Sequence, residues 1–239
     1  ILFDGPVREH LLPFTFTRPV ADVRLGIMTI KEKWEAHLGT SISYQTESYL
    51  QAKFPLVLNS DNVFLNGSIL PDPVLLDKAK GLKEREVLIK DDIVIAYRSA
   101  DFNKEGNWSG YKEIIYNPDL FQIKNTWDIF SQNERALQED FDFLTKGRTS
   151  QPISKTNSLI CPERIFLEEG AKVEYSILNA TDGPIYIGKH AEIWEGSLIR
   201  GGLALCDHAI VKMGGKLYGA TTIGPYSKVC GEVSNSVIF

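Results

Sequence analysis

Residues 187–229 read IGKHAEIWEGSLIRGGLALCDHAIVKMGGKLYGATTIGPYSKV, and an aliphatic side chain recurs in them at every sixth position. The aliphatic positions are Ile187, Ile193, Ile199, Leu205, Val211, Leu217, Ile223 and Val229. The positions four residues further on carry mostly small side chains, namely Ala191, Ser197, Leu203, Ala209, Gly215, Thr221, Ser227 and Val233. Neither a helix nor a flat strand has a period of six. The repeat is typical of a coil with three short flat sides.

Three such hexads make one turn of about 18 residues, which is the parallel β-helix of hexapeptide repeats. We therefore expect a left-handed β-helix whose core consists of three ladders of stacked aliphatic side chains. The predicted ladders are Ile187 with Leu205 and Ile223, Ile193 with Val211 and Val229, and Ile199 with Leu217. Leu167 and Val173 continue the spacing upstream, so one earlier coil is expected, with a loop at 179–184.

The chain before this repeat alternates short apolar runs with amphipathic stretches, which is typical of an α/β domain. Strands are predicted at 1–3, 55–59 and 63–67, and a hairpin at 86–98 that turns at Asp91 and Asp92. One helix is predicted over 27–38, ending at Gly39. A second helix of about five turns is predicted from Trp127 to Lys146, with Trp127 opening its buried stripe.

The domain limits follow from a change in composition near residue 147. We expect an α/β domain over 1–147, a connector over 148–158 that is poor in apolar residues, and the β-helix over 159–239. The sequence ends at SNSVIF without a helix or polar segment to cover the last coil. A solenoid with a bare end aggregates, so we expect the chain to be a fragment truncated at its C-terminus.

Composition narrows the classes of partner. The chain has 239 residues with 26 Lys and Arg against 31 Asp and Glu, a net charge of −5, so no diffuse basic surface for nucleic acid is expected. No apolar run approaches the roughly 20 residues of a membrane span. Its three cysteines lie far apart, which suits free thiols in a reducing compartment. We expect a cytoplasmic protein with no nucleic-acid or membrane partner.

The opening residues carry a resemblance to a known family. Residues 13–19 read PFTFTRP, which resembles the PLTxTRPKP signature near the start of sugar-1-phosphate nucleotidyltransferases. With the period-six repeat, the chain resembles the bifunctional N-acetylglucosamine-1-phosphate uridylyltransferases and the glucose-1-phosphate thymidylyltransferases. The resemblance implies a Rossmann-like nucleotidyltransferase domain that joins a nucleoside triphosphate to a sugar 1-phosphate and releases pyrophosphate. It also implies Mg²⁺ as cofactor and a homotrimer assembled through the β-helix.

The same resemblance suggests which residues carry the chemistry, since the transfer needs cations, close backbone N–H groups and metal-binding carboxylates. Three arginines are expected to meet the phosphates, namely Arg8, Arg18 and Arg24. Substrate is expected to contact Gly5, Thr15, Thr17, Asp22, Asn59 and Asn66. Asp61 is expected to hold the metal. The alternatives are that Arg18 and Arg24 form ion pairs that hold the fold, and that Asn59, Asp61 and Asn66 belong to turns.

Two departures from the family pattern count against ordinary catalysis. The loop after the first strand has Gly5 as its one glycine, where the family has several, and Val20 stands where the signature has a lysine. The chain is therefore also compatible with a non-catalytic scaffold that binds nucleotide or sugar phosphate.

A third hypothesis places the chemistry in the β-helix. His190 and His208 are 18 residues apart, so they are predicted to stack on adjacent coils, with Tyr226 next in the column. Hexapeptide acyltransferases use a histidine on a coil as the general base for transfer from acetyl-CoA. The alternative is that these corner positions tolerate any polar residue.

Overall fold

The computed structural model describes residues 1–103 and 106–239, which fold into two compact units. The first unit comprises Ile1–Val23 and Thr29–Thr126, and the second comprises Arg24–Met28 and Trp127–Phe239. Among the described residues, no helix combines the length and the apolar character that crossing a membrane requires. These two units are defined by which residues pack together. The predicted domain limits at 147 and 158 rest on composition instead, so they stay a prediction.

Most regular structure in residues 1–126 belongs to one sheet and two longer helices. The helices are α1 (Val7–His10), α2 (Ile30–Leu38) and α3 (Pro73–Lys80). The strands are β1 (Leu2–Phe3), β2 (Arg24–Leu25), β3 (Met28–Thr29), β4 (Tyr44–Gln45), β5 (Asn62–Asn66), β6 (Glu86–Lys90), β7 (Ile93–Ser99) and β8 (Lys112–Ile115). Short 3₁₀ turns lie at Phe14–Phe16, Val20–Asp22 and Ser48–Leu50.

The sheet of the first unit is mixed, and within the described residues its strand order is β4-β1-β5-β7-β6-β8. Strand β1 runs parallel to both β4 and β5, and β7 runs antiparallel to β5 and β6. The predicted α/β class is confirmed, as are the first strand and the hairpin over 86–98. The hairpin turns at Asp91, which adopts a left-handed φ of 51°. A stacked pair of rings, Phe64 and Tyr97 with centroids 4.6 Å apart, lies in the core beside the sheet.

Local chemistry fixes the ends of α2. Thr29 and Glu32 form a capping box, in which each side chain accepts a hydrogen bond from the other residue's backbone N–H. The helix stops at Gly39, whose φ of 67° is readily available to glycine. The predicted helix end is confirmed, and the helix begins at Ile30 rather than at residue 27.

The predicted strand over 55–59 is wrong. These residues have no strand conformation, and the side chains of Val57 and Leu58 are 57% and 43% exposed. An apolar run favours a buried strand, but the side chains of this run are mostly exposed, and only Leu56 among them is partly buried. The next strand, β5, begins only at Asn62.

The rest of the chain consists of two helices and a solenoid. The helices are α4 (Asp128–Ser131) and α5 (Asn133–Thr145). The strands are β9 (Ser158–Ile160), β10 (Ile165–Leu167), β11 (Lys172–Val173), β12 (Ile177–Asn179), β13 (Ile185–Ile187), β14 (Glu192–Ile193), β15 (Leu198–Arg200), β16 (Leu203–Leu205), β17 (Ile210–Val211), β18 (Lys216–Tyr218), β19 (Thr221–Ile223), β20 (Lys228–Val229), β21 (Glu232–Ser234) and β22 (Val237–Ile238).

The solenoid stacks these strands into three parallel sheets in the described residues, which fits a left-handed β-helix. The register confirms every predicted ladder. Ile187 pairs with Leu205 and Leu205 with Ile223, and the second and third ladders pair in the same way. The earlier coil is confirmed as well, because Leu167 pairs with Ile187 and Val173 with Ile193.

The single helix predicted from Trp127 to Lys146 is instead two helices that meet at Gln132. The apolar stripe of a single helix is therefore interrupted at Gln132. Before this break, the side chains of Trp127 and Phe130 are 58% and 50% exposed. The prediction that Trp127 lies in the core is therefore wrong. Leu137 and Phe141 on α5 are buried as expected.

Five residues from the start of the chain, Arg24–Met28, belong to the second unit and are held there by α5. The backbone N–H of Gly26 donates to the side chain of Asn133 at 2.7 Å, and that of Ile27 donates to Asp140 at 2.7 Å. Gly26 has a φ of 77°, and a Cβ atom there would lie 2.7 Å from the carbonyl oxygen of Ala136. The conformation and the close approach both require glycine.

The buried carboxylate of Glu168 in the solenoid pairs with Arg148, which lies in the segment that follows α5. Glu168 accepts two hydrogen bonds from Arg148, at 2.8 and 2.6 Å, and a third from the hydroxyl of Tyr186 at 2.8 Å. Burial raises the pKa of Glu168, but these hydrogen bonds and the charge of Arg148 outweigh burial, so the pKa lies below its ordinary value. The ionised form is the one that the fold stabilises.

We expect Leu205→Ala to lower the free energy of unfolding by about 2–5 kcal/mol, because it leaves a cavity in a fully buried ladder. Leu198→Ala is the matched control, since Leu198 is 44% exposed on a neighbouring strand and should change stability far less. Urea unfolding of both variants measures the difference. Equal losses would contradict the assignment of the ladders to the core.

We expect Glu168→Gln to lower the free energy of unfolding by about 1.5–3 kcal/mol near pH 7, because a charged hydrogen-bond network is broken. A depressed pKa contributes stability above the unfolded pKa near 4.5, and this contribution is lost as the pH falls through the folded pKa. The gap between wild type and variant should therefore close below about pH 4. Glu139→Gln, which alters an exposed pair with Arg135, is the control for urea melts across pH. A gap that does not change with pH would contradict the assignment.

Candidate functional site

The carboxyl ends of the parallel strands β1, β4 and β5 meet at one edge of the sheet, where ligands of α/β proteins usually bind. A cleft of about 760 Å³ lies at this edge. Residues that directly follow β1 and β4 form much of its wall, among them Asp4, Gly5, Arg8, Thr46, Glu47 and Ser48. This cleft is the candidate site of the first unit.

A buried carboxylate holds the two sides of the cleft together. Asp4 accepts the backbone N–H of Val20 at 2.8 Å and the hydroxyl of Thr46 at 2.5 Å. Burial raises the pKa of Asp4 above its ordinary value. The side chain of Val20 is fully buried, so a lysine at this position would place its stem in the core.

Arg8 is fixed in the wall of the cleft. Its guanidinium donates to the carbonyl oxygen of Thr15 at 2.9 Å and to the hydroxyl of Tyr49 at 2.7 Å. The buried hydroxyl of Thr15 donates in turn to the carbonyl oxygen of Arg8 at 2.8 Å. Carboxylate oxygens of Asp4 and Glu47 lie 3.7 and 3.9 Å from the guanidinium. The structure thus brings the predicted residues Arg8 and Thr15 together.

Gly5 and Asn66 are also neighbours. A Cβ atom at Gly5 would lie 3.4 Å from the side-chain nitrogen of Asn66, which is an ordinary contact. The amide of Asn66 donates to the carbonyl oxygen of Val94 at 2.9 Å and accepts from the backbone N–H and hydroxyl of Ser68. Asn66 is therefore used within the fold, whereas Gly5 lines the cleft.

The predicted residues of the signature segment differ in their surroundings. Thr17 is exposed, and Arg18 is partly buried. Asp22 accepts the hydroxyl of Tyr44 at 3.1 Å. Burial raises the pKa of Asp22, the positive charge of Arg18 acts in the opposite direction, and the net pKa stays raised. The hydrogen bond between Asp22 and Tyr44 fixes the segment against β4.

Arg24 lies in the second unit and is buried there. Its guanidinium donates to the carbonyl oxygen of Ile27 and lies 3.9 Å from the sulfur of Cys206. These contacts favour the alternative in which Arg24 holds the fold, and its expected role towards phosphate stays a prediction.

Asn59 and Asp61 precede β5 and so lie at the amino end of that strand. The backbone of Asn59 exchanges two hydrogen bonds with the side chain of Asn62, at 2.8 and 2.9 Å. Both carboxylate oxygens of Asp61 accept from Arg98, and these hydrogen bonds hold the pKa of Asp61 below its ordinary value. The contacts favour turn and ion-pair roles, because residues 55–59 form no strand for Asp61 to end.

The expected Mg²⁺ requires carboxylate oxygens that are available to it. Within residues 1–103 and 106–239, no group of three or more His, Cys, Asp and Glu side chains is arranged to hold a metal ion. Arg98 occupies both oxygens of Asp61, while Val20 and Thr46 occupy those of Asp4. Both carboxylates are therefore already used within the fold, and the metal role of Asp61 stays a prediction.

The predicted histidine column is confirmed. The ring centroids of His190 and His208 lie 5.2 Å apart, and those of His208 and Tyr226 lie 4.7 Å apart. All three residues have positive φ, between 55° and 62°, at a corner of successive coils. Histidine is several-fold enriched in this conformation, so the corner explains its presence without catalysis. A role of His190 and His208 in acyl transfer stays a prediction.

The sequence reading missed Asp4, Thr46 and Glu47. Asp4 directly follows the first predicted strand, and this position could have been recognised as the end of a parallel strand. Thr46 and Glu47 follow β4, which has only two residues and gives no alternating pattern. Their place at the cleft depends on pairing between Leu2 and Tyr44, which are far apart in sequence.

A family model described as sugar nucleotidyl transferase matches residues 1–149, a segment that includes every strand of the mixed sheet. No curated protein matches the chain.

The variant Asp61→Asn separates an ion-pair role from a metal role. Because Arg98 already occupies the carboxylate, we expect the shift in melting temperature on adding Mg²⁺ to equal that of the wild type. Asp182→Asn is the matched control, since Asp182 forms an exposed pair with Arg200 at 2.7 Å. A Mg²⁺-dependent shift lost in Asp61→Asn alone would restore the metal role.

Proposed function

The chain belongs to the sugar nucleotidyl transferase family through residues 1–149, and we propose that its first unit joins a nucleoside triphosphate to a sugar 1-phosphate. Membership indicates a nucleotidyltransferase-like function with nucleotide and sugar-phosphate substrates. The narrower proposal is a glucose-1-phosphate thymidylyltransferase or uridylyltransferase type of reaction. A phosphate oxygen of the sugar 1-phosphate attacks the α-phosphorus, the bond to the β-phosphate oxygen breaks, and pyrophosphate leaves.

The observation that supports this proposal is the cleft at the carboxyl ends of β1 and β4, with Gly5 and Arg8 in its wall. Such transfer depends mainly on positioning and charge neutralisation. Arg8 is held in place by Thr15 and Tyr49, and a guanidinium fork suits phosphate oxygens. Gly5 lets a phosphate approach the backbone closely.

A binding scaffold without catalysis is the second candidate, because the wall of the cleft supplies few cations to neutralise the charge that develops during transfer. Its wall carries Asp4, Glu9 and Glu47 against Arg8, so a triphosphate meets more negative than positive charge. Val20 is a core residue and supplies no cation. Thermal shift with nucleotide, with and without Mg²⁺, tests whether the metal ion offsets this negative charge.

We propose a homotrimer through the β-helix, and acyl transfer from acetyl-CoA by His190 or His208 as an alternative activity. Sedimentation of the protein and an acetyl-CoA hydrolysis assay test them. A cytoplasmic location remains a prediction from the sequence.

Thermal shift with nucleoside triphosphates and sugar 1-phosphates, with and without Mg²⁺, tests binding, and release of pyrophosphate tests transfer. A ligand at 100 times its dissociation constant should stabilise the protein by about 2.7 kcal/mol. Arg8→Lys keeps the positive charge but removes the paired N–H donors of the guanidinium. We therefore expect it to weaken nucleotide binding about tenfold. Arg135→Lys, on the exposed face of α5, is the control.

Gly5→Ala provides a second variant that should fold, since its Cβ meets only an ordinary contact. We expect it to weaken nucleotide binding without changing the melting temperature of the free protein. Binding without pyrophosphate release would favour the scaffold. If no triphosphate or sugar phosphate binds the wild type, both candidates are wrong.

A further inference from the structure

A second cavity, of about 630 Å³, lies at the opposite edge of the sheet, where β1, β4 and β5 have their amino ends. Helices α2 and α3 complete its walls. The volume is within the range of small-molecule sites, which bind a ligand of about drug size. The cavity shares no lining residue with the cleft at the carboxyl ends.

Most of the wall is apolar. Leu38 contributes from α2, and Val63 and Leu65 contribute from β5. Val57 lines the cavity and is 57% exposed, so an apolar side chain faces solvent at the rim. A ligand with an apolar or aromatic body would cover this surface and remove it from water.

The charged groups of the wall leave a positive excess. Three lysines line the cavity, namely Lys31, Lys53 and Lys80. Lys31 is paired with Glu35 at 3.2 Å, and the one lining carboxylate, Asp61, is held by Arg98. In the part of the chain that the structure describes, neither Lys53 nor Lys80 forms an ion pair, although the positive charge of Lys53 acts on Asp22 and its ammonium lies 5.1 Å from the centre of the Phe54 ring. Lys80 is thus available to an anion, and Lys53 is available in competition with Asp22.

We propose that this cavity is a second binding site, for a small organic anion that joins an apolar or aromatic body to a phosphate or carboxylate group. The body lies against Leu38, Val57 and Val63, and the anionic group pairs with a lysine of the wall, Lys80 or Lys53. The site does not depend on the proposed transfer reaction, because it lies at the other end of the strands.

Isothermal titration calorimetry with 4-nitrophenyl phosphate tests the site. Inorganic phosphate is the probe for the anionic group alone, and 4-nitrobenzyl alcohol is the probe for the aromatic body alone. We expect 4-nitrophenyl phosphate to bind at least about tenfold more tightly than either probe. The double variant Lys53→Gln with Lys80→Gln should weaken it about tenfold or more. Lys216→Gln with Lys228→Gln, which alters exposed lysines of the solenoid, is the matched control.

Val57→Asp is a second variant, and it should fold because the residue is exposed. It removes one apolar contact and places a carboxylate at the rim, so we expect the binding of 4-nitrophenyl phosphate to weaken more than that of 4-nitrobenzyl alcohol. The proposal is overturned if the lysine variant binds like the wild type or if inorganic phosphate binds as tightly as the aryl ester. Competition by a nucleoside triphosphate would place the probe in the cleft and also overturn it. Failure of nucleotide binding alone would leave this site intact and contradict only the proposed transfer.

Discussion

Parallel pairing of strands in register is the constraint on which both units depend. In the solenoid it stacks equivalent residues of successive coils, so each aliphatic side chain is covered by the one above it. In the first unit it aligns β1 with β4 and β5, so that like ends of three strands share an edge. Backbone groups at the ends of strands are not all paired, and loops that leave these ends diverge. The cleft at the carboxyl ends of these strands and the cavity at their amino ends lie between such diverging loops.

The cleft carries an electrostatic cost that its fold only partly offsets. Asp4 is buried and its pKa is raised, although it accepts hydrogen bonds from Val20 and Thr46. A neutral side chain could join the same two donors with less desolvation. The carboxylate also lies near Arg8, whose guanidinium it orients towards the wall. The effect of the cleft on a bound phosphate therefore depends on how far the positioned charge of Arg8 offsets repulsion by the neighbouring carboxylates.

The fold was predictable wherever the signal was local and repeated. The ladders follow from a period of six, and the hairpin from the two aspartates between its strands. The strand at 55–59 and the buried Trp127 were wrong, because exposure depends on what packs against a segment rather than on its own pattern. In the site, Gly5, Arg8 and Thr15 were identified by resemblance. Asp4 and Thr46 were missed because only pairing between β1 and β4 brings them together.

Strand β4 is shared by the two cavities of the first unit. Ser43 and Tyr44 line the cavity at the amino ends, and Gln45 and Thr46 line the cleft. The hydroxyl of Tyr44 donates a hydrogen bond to Asp22 of the signature segment, and the hydroxyl of Thr46 donates one to Asp4. A ligand in one cavity can change affinity in the other only if it favours one position of this strand over another. Strand β4 is an edge strand of two residues, held by β1 on one side and by a hydrogen bond from the backbone N–H of Tyr44 to the carbonyl oxygen of Pro55, so few backbone hydrogen bonds resist such a shift.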